Sequence, residues 1–268
     1  MRVIGKIAVN VFRESVRDRV LYGLVVFAVL LIAASYLLGQ LTAGQDVKII
    51  KDLGLAAIST LGLMIAVFIG VGLVWKEVEK RSIYSLLAKP VTRRDVILGK
   101  YLGLALTLAV NVAVMVAAFY AVLAVMQWVT NPDLVRAWAA PATDPRMLSA
   151  VLLIFVELLL VTGIALFFST FSSPFLAAVF TLGLWVIGHF NGDLRNFESV
   201  VASPAAVWLT RGLYYVLPDF SAFDIKAQVV WGQAVPASYV AVTTLYGLMY
   251  VAFALVGAIV IFTRRDFK

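Results

Sequence analysis

The sequence predicts an all-α polytopic membrane protein with six transmembrane helices, and three observations carry that prediction. Of its 268 residues, 63% are hydrophobic and 14% are charged, against roughly 45–50% and about 25% in ordinary soluble domains. Mean hydropathy is +0.99. The apolar residues gather into continuous runs of about twenty, the length a helix needs to cross a hydrocarbon core about 30 Å thick. Strands are excluded because the runs do not alternate, and a sheet edge facing lipid would leave backbone groups unpaired. Finally, Lys and Arg alternate between dense and sparse segments along the chain, as they do in multi-pass proteins.

The same composition narrows the chemistry. One helical bundle accounts for the whole length, residues 1–268, and leaves no room for a soluble catalytic domain. Cysteine is absent, which removes disulfides, thiolate metal sites and Cys nucleophiles. A single histidine, His189, makes a His-based metal site or a Ser/His triad hard to assemble within one chain. No catalytic residues and no metal ligands are therefore expected.

Taken in order, residues 1–19 set Ile4, Ile7, Ala8 and Val11 on one helical face, with Lys6, Asn10, Arg13 and Arg17 on another. That is an amphipathic interfacial helix. The mixed charges Arg13, Glu14, Arg17, Asp18 and Arg19 separate it from the first apolar run, which argues against a cleaved signal peptide. Spans follow at 20–38, 53–75, 101–128, 148–171, 174–190 and 237–262. At 1.5 Å per residue they rise from about 26 Å to about 42 Å, so the shortest barely crosses and the longest tilts or protrudes.

Residues 1–19 carry five Lys or Arg, 76–100 carry seven and the tail after 262 carries three, which is fifteen of the 22 in the chain. The positive-inside rule then places both termini and the 76–100 loop in the cytoplasm, with the protein in the cytoplasmic (inner) membrane. The net charge of +7 reflects this topology, and nucleic acid is not an expected partner. Ser172, Ser173 and Pro174 make a tight turn between spans four and five. Residues 191–236 are too long for a turn and carry Trp208, Tyr214, Tyr215, Phe220, Phe223 and Trp231 with Pro204 and Pro218. Such aromatics suit a membrane interface. Pro204 and Arg211 argue against a seventh span, so this segment is expected to form an extracytoplasmic re-entrant or interfacial cap.

The loop reading WKEVEKRSIYSLLAKPVTRRDVILGKYLG (75–103) is built rather than loose. Glu77 and Arg81 stand at i,i+4 in the favourable order, extending the second span's helix beyond the membrane. Pro90 ends that helix because it donates no N–H and disfavours helical geometry at Lys89. Thr92 with Asp95 forms a capping-box pattern that restarts a helix into the third span. Between them lies an apolar ridge of Ile83, Tyr84, Leu86 and Leu87, held outside the lipid among cations. Such a ridge calls for a protein partner.

Inside the membrane, Glu157 lies near the middle of the fourth span, where an ionised acid costs roughly 3 kcal/mol unless it is paired or faces a cavity. Asn111 lies at a similar depth in the antiparallel third span. The two are candidates for a translocation path or for helix pairing. Gly62, Ala66 and Gly70 repeat every four residues in span two, and Gly99 with Gly103 forms a G-x-x-x-G at the mouth of span three; both patterns license close helix approach.

The 75–103 segment resembles the first cytoplasmic loop of ABC-2-type exporter permeases, especially the branch similar to the permeases of nitrous-oxide-reductase (multicopper enzyme) maturation. The matching residues are Glu77, Glu79, Leu86, Leu87, Pro90, Val91, Thr92, Arg93, Gly99 and Lys100. The N-terminal FRESVRDRVLYGL is similar to that family's connector helix at Glu14, Arg17 and Asp18. Arg81 and Ser82 depart from the Gly-Thr that many relatives have there.

The resemblance implies the permease subunit of an ATP-binding cassette transporter, exporting or extracting a substrate or transmitting mechanical force. Residues 76–95 would be a coupling helix docked in a separate ATPase subunit, with Glu77, Glu79, Arg81, Ile83, Tyr84, Leu86, Leu87, Pro90 and Arg93 as its contact residues. It also implies a second permease copy or a sister permease, surrounding membrane lipids and an extracytoplasmic accessory protein as partners. The chain has no G-x-x-x-x-G-K-[ST] loop to cradle phosphates, so no cofactor is expected on it, and ATP with Mg belongs on the partner. The rival readings are an ATP-independent secondary transporter, for which no internal repeat is visible, an intramembrane enzyme, for which clustered polar groups are lacking, and a membrane anchor protein.

Overall fold

Residues 2–40, 46–79, 92–136, 138, 140–190 and 216–264 are described by a computed structural model. Among them every regular element is helical. The order is α1 (Arg2–Val16), α2 (Arg19–Gln40), α3 (Asp46–Glu79), α4 (Arg93–Val129), α5 (Pro132–Arg136), α6 (Met147–Ser169), α7 (Pro174–His189), a 3-10 turn (Ser221–Phe223), α8 (Lys226–Val230) and α9 (Ala237–Arg264). Five helices, α2, α3, α4, α6 and α9, are long and apolar enough to cross a membrane, and α7 is a shorter apolar helix.

Helix starts follow local chemistry. Thr92 is extended and its hydroxyl accepts from the Asp95 backbone N–H at 3.3 Å while donating to the Asp95 carboxylate at 2.8 Å. One orphan donor of α4 is thereby satisfied. Pro174 opens α7 behind an extended Ser173, where its missing N–H costs nothing. Asp18 Oδ1 accepts from the Val20 N–H at 3.0 Å as the chain turns from α1 into α2.

Two helices outrun the apolar runs that mark them. With 34 and 37 residues, α3 and α4 rise about 51 and 55 Å, well beyond a core about 30 Å thick. α3 starts at Asp46, so Lys51, which precedes the second predicted span at 53–75, stands in a helix and is 1% exposed. Its ammonium donates to the Pro141 carbonyl at 2.7 Å, which is what makes burial of that charge tolerable.

The centre of the bundle is α6, packed by α3, α7 and α9. Contacts are close because glycines face it. A Cβ at Gly62 would lie 2.5 Å from Leu158, at Gly70 2.6 Å from Ala165, and at Gly247 2.6 Å from Val156. The small residues read along span two are thus an intrachain interface. Apolar side chains such as Leu30, Leu37, Leu106, Val110, Val242 and Phe253 point outward and are exposed, as a lipid-facing surface requires.

α7 is the structural exception. Its 16 residues rise about 24 Å, short of the bilayer, and its last carbonyls would face hydrocarbon unpaired. The segment 216–236 packs beside that end and answers one of them. Phe220 N–H donates to the Gly188 carbonyl at 3.1 Å, Phe220 and Phe223 are fully buried, and the Asp219 N–H donates to the Tyr246 hydroxyl at 2.8 Å. Gly188 is required there, since a Cβ would run into the Phe220 ring and the Pro218 carbonyl. Over its described part, 216–236, the expected cap packs against the end of α7, while 191–215, with Trp208, Tyr214, Tyr215 and Pro204, lies outside the described residues.

At the other end, α1 lies on α4. A Cβ at Gly103 would fall 2.6 Å from Val11 and 2.7 Å from the Ala8 carbonyl, and one at Gly99 2.7 Å from Ile7. Gly103→Leu is expected to lift α1 off α4 and to cost about 1–3 kcal/mol, the usual range for overpacking. Thermal unfolding in detergent would show the loss, and limited proteolysis would show faster cutting between Val16 and Arg19.

Candidate functional site

Two regions hold the polar groups that a bundle of this kind does not need for insertion alone. The first is the end where both termini lie. There α1 turns into α2, α4 begins and α9 ends. Arg93, the first residue of α4, donates through one guanidinium nitrogen to the Phe262 carbonyl at 3.0 Å and the Thr263 carbonyl at 3.1 Å. A cation at the last carbonyls of a helix satisfies orphan acceptors and complements the helix dipole. Arg93 thereby ties the start of α4 to the end of α9.

Glu14 and Asp18, two of the connector residues, line one crevice with Ser15, Leu21, Phe68 and Gly72, of about 180 Å³. Glu14 and Arg17 are exposed, and Asp18 is half-buried. The crevice opens between the α1–α2 corner and α3, on the same end as Arg93. Of the other expected coupling residues, Glu77 and Glu79 sit in the last turn of α3, whose side chains are not described. Arg81, Ile83, Tyr84, Leu86, Leu87 and Pro90 lie outside the described residues.

The second region is the interior of the opposite half. Glu157 on α6 is 4% exposed. Its carboxylate accepts from the Trp185 indole N–H on α7 at 2.8 Å and stands 3.9 Å from His189 Nε2. His189 in turn places Nδ1 3.2 Å from the Trp185 carbonyl and stacks on Phe220 of the segment 216–236 with an interplanar angle of 4° and centroids 5.9 Å apart. Lys226 lies within electrostatic range of Glu157 and Asp52. Its ammonium is 3.4 Å from Ser59 Oγ and 3.5 Å from the Asp224 carboxylate. One acid thus joins α6 and α7, and the histidine beside it meets the segment that covers them.

Asn111 is half-buried on α4 and is not among the hydrogen-bond partners of Glu157. Equal depth on two antiparallel spans did not bring them together, because α6 turns this face toward α7. Trp185 is the partner that sequence reasoning passed over. The signal was present: tryptophan prefers the interface, and one in mid-span needs an acceptor for its N–H. Lys226, lost among the outer cations in the linear sequence, had no such signal. Among the described residues no group of three or more His, Asp or Glu side chains is placed to hold a metal ion.

A family model described as an ABC-2 family transporter protein matches residues 6–267, nearly the whole chain. No curated protein gives a significant match.

Glu157→Gln keeps an acceptor for Trp185, so it is expected to leave stability within about 1 kcal/mol of the parent. Glu157→Leu leaves the indole N–H buried and unpaired and is expected to cost about 1–3 kcal/mol. Thermal unfolding followed by tryptophan fluorescence separates the two. Equal losses would show that the carboxylate does more than accept that bond.

Proposed function

The chain belongs to the ABC-2 family of transporter proteins, a permease subunit of an ABC transporter, and from that premise we propose that it is driven by a separate ATPase docked on residues 76–95. Both termini and this loop face the cytoplasm, since fifteen of the 22 Lys and Arg lie on that side, and the membrane is the inner one. The working unit pairs two permease chains, two copies of this one or one with a sister permease, with two ATPase subunits. ATP and Mg are held by the ATPase, and this chain has no catalytic role. An extracytoplasmic accessory protein is met by the cap.

The observation that carries the reading is the clamp at the termini end. The coupling segment is rooted in the two longest helices, and both run the full depth of the membrane. A push on its apolar ridge, Ile83 to Leu87, has nowhere to dissipate: α4 is held to α1 through Gly99 and Gly103 and to α9 through Arg93. Closure of an ATPase dimer would therefore move α3, α4, α1 and α9 as connected levers, a rigid-body route of the kind used in switching proteins. Extrusion of a substrate and force on an extracytoplasmic partner both follow from such a movement.

Gentle detergent extraction of the tagged chain from its native membrane, with mass spectrometry and an ATPase assay on what is retained, tests this. A stoichiometric partner carrying a phosphate-binding loop is expected, and Leu86→Asp or Leu87→Asp is expected to remove it while the chain still inserts. Normal complex yield in those variants would refute the docking site. Arg93→Ala is expected to broaden the distance between spin labels at the start of α4 and the end of α9, because it removes the bonds to the Phe262 and Thr263 carbonyls.

A further inference from the structure

On the cap side, α6 and α9 part to leave an open groove of about 790 Å³, bordered at the Arg146 end by the end of α8 and the turn after it. Its size falls within the roughly 300–1,000 Å³ of small-molecule sites. The walls are Leu148 and Leu152 of α6 and Ala241, Leu245 and Leu248 of α9. From Ala237 to Leu248 the α9 wall runs about 16 Å at 1.5 Å per residue, close to one leaflet, about half of a 30 Å core. The groove thus has the depth of a single acyl layer.

Its polar features stand where a lipid's would. Arg146 marks the mouth, where α6 begins; it is exposed and spends one N–H on the Gly232 carbonyl at 3.1 Å. The remaining guanidinium donors have no protein partner among the described residues. In the wall, the Thr244 hydroxyl is buried and unpartnered. The buried Thr107, Thr162 and Thr181, by contrast, each bond the carbonyl four residues back. A donor left unpaired at this depth costs free energy that an ester carbonyl would recover.

We propose that this groove is a binding site for a glycerophospholipid of the cap-side leaflet, its phosphate on Arg146 and one acyl chain between α6 and α9. Charge complementarity selects this occupant. A guanidinium with free donors pairs with a phosphate through charge-assisted hydrogen bonds, and the mainly apolar walls, Leu148, Leu152, Ala241, Leu245 and Leu248, suit an acyl chain. The site is independent of the ATPase-coupling reading, which stands or falls on other residues.

The test uses the full chain in maltoside micelles with a phosphatidylglycerol carrying a photoactivatable acyl chain, and maps the adducts by mass spectrometry. Labelling is expected to concentrate on 148–152 and 241–248, to be competed by plain phosphatidylglycerol and to resist diacylglycerol about tenfold better, the worth of one charge-assisted contact. Arg146→Gln is expected to reduce groove labelling about tenfold. Because Arg146 also holds Gly232, Ala241→Trp provides a second variant that fills the groove without touching the cap. It is expected to abolish groove labelling while the adducts on the outward face of α2 persist. Labelling spread evenly over the outer surface, or unchanged in both variants, overturns the proposal. So does a groove silent in a dimeric fraction, which would assign it to a second copy of the chain.

Discussion

Lipid tails are as apolar as leucine, so nothing but van der Waals fit and hydrogen bonding draws the spans of this protein together. The bundle meets that constraint through α6. Gly62, Gly70 and Gly247 bring α3 and α9 against Val156, Leu158 and Ala165 at distances that no Cβ would permit, and α7 completes the enclosure. Because α6 is enclosed, Glu157 is enclosed with it. The polar interior, the placement of α7 and the docking of the segment 216–236 all depend on that central helix being approached so closely.

The second constraint is that every backbone and charged group at membrane depth must find a partner within the protein. α7 is short for a span, and the carbonyl of Gly188 is answered by the Phe220 N–H from the segment 216–236 that packs beside it. Charges follow the same rule. Lys51 meets the Pro141 carbonyl, Glu157 meets the Trp185 indole, and Lys226 lies between Ser59 and Asp224. Polar groups on the cap side therefore join helices to the loops that cover them.

The two ends of the bundle are built differently, and the difference suits a permease driven from one side. At the termini end the contacts are mechanical: α1 lies against glycines of α4, and Arg93 grips the last carbonyls of α9. At the cap end they are polar seams and an open groove between α6 and α9. The long helices α3 and α4 connect the two. A permease subunit can respond to a partner ATPase only if such connections are stiff, and close helix packing supplies that stiffness.

By itself the sequence determined the fold class, the six apolar helices, the cap of α4 at Thr92 and the breadth of the segment before the last span. Each of these follows from residue-by-residue terms: transfer into lipid adds up along a run, and proline or a capping hydroxyl acts on its immediate neighbours. The tertiary structure alone decided that Glu157 faces Trp185 and His189 and not Asn111, that Gly99 and Gly103 receive α1, that Lys51 is buried, and that Arg93 reaches the far end of the chain. The physical reason is rotational. Hydropathy gives the depth of a residue in the membrane but not the side of the helix on which a neighbour lies, and that side is chosen by the few small residues where two backbones can touch.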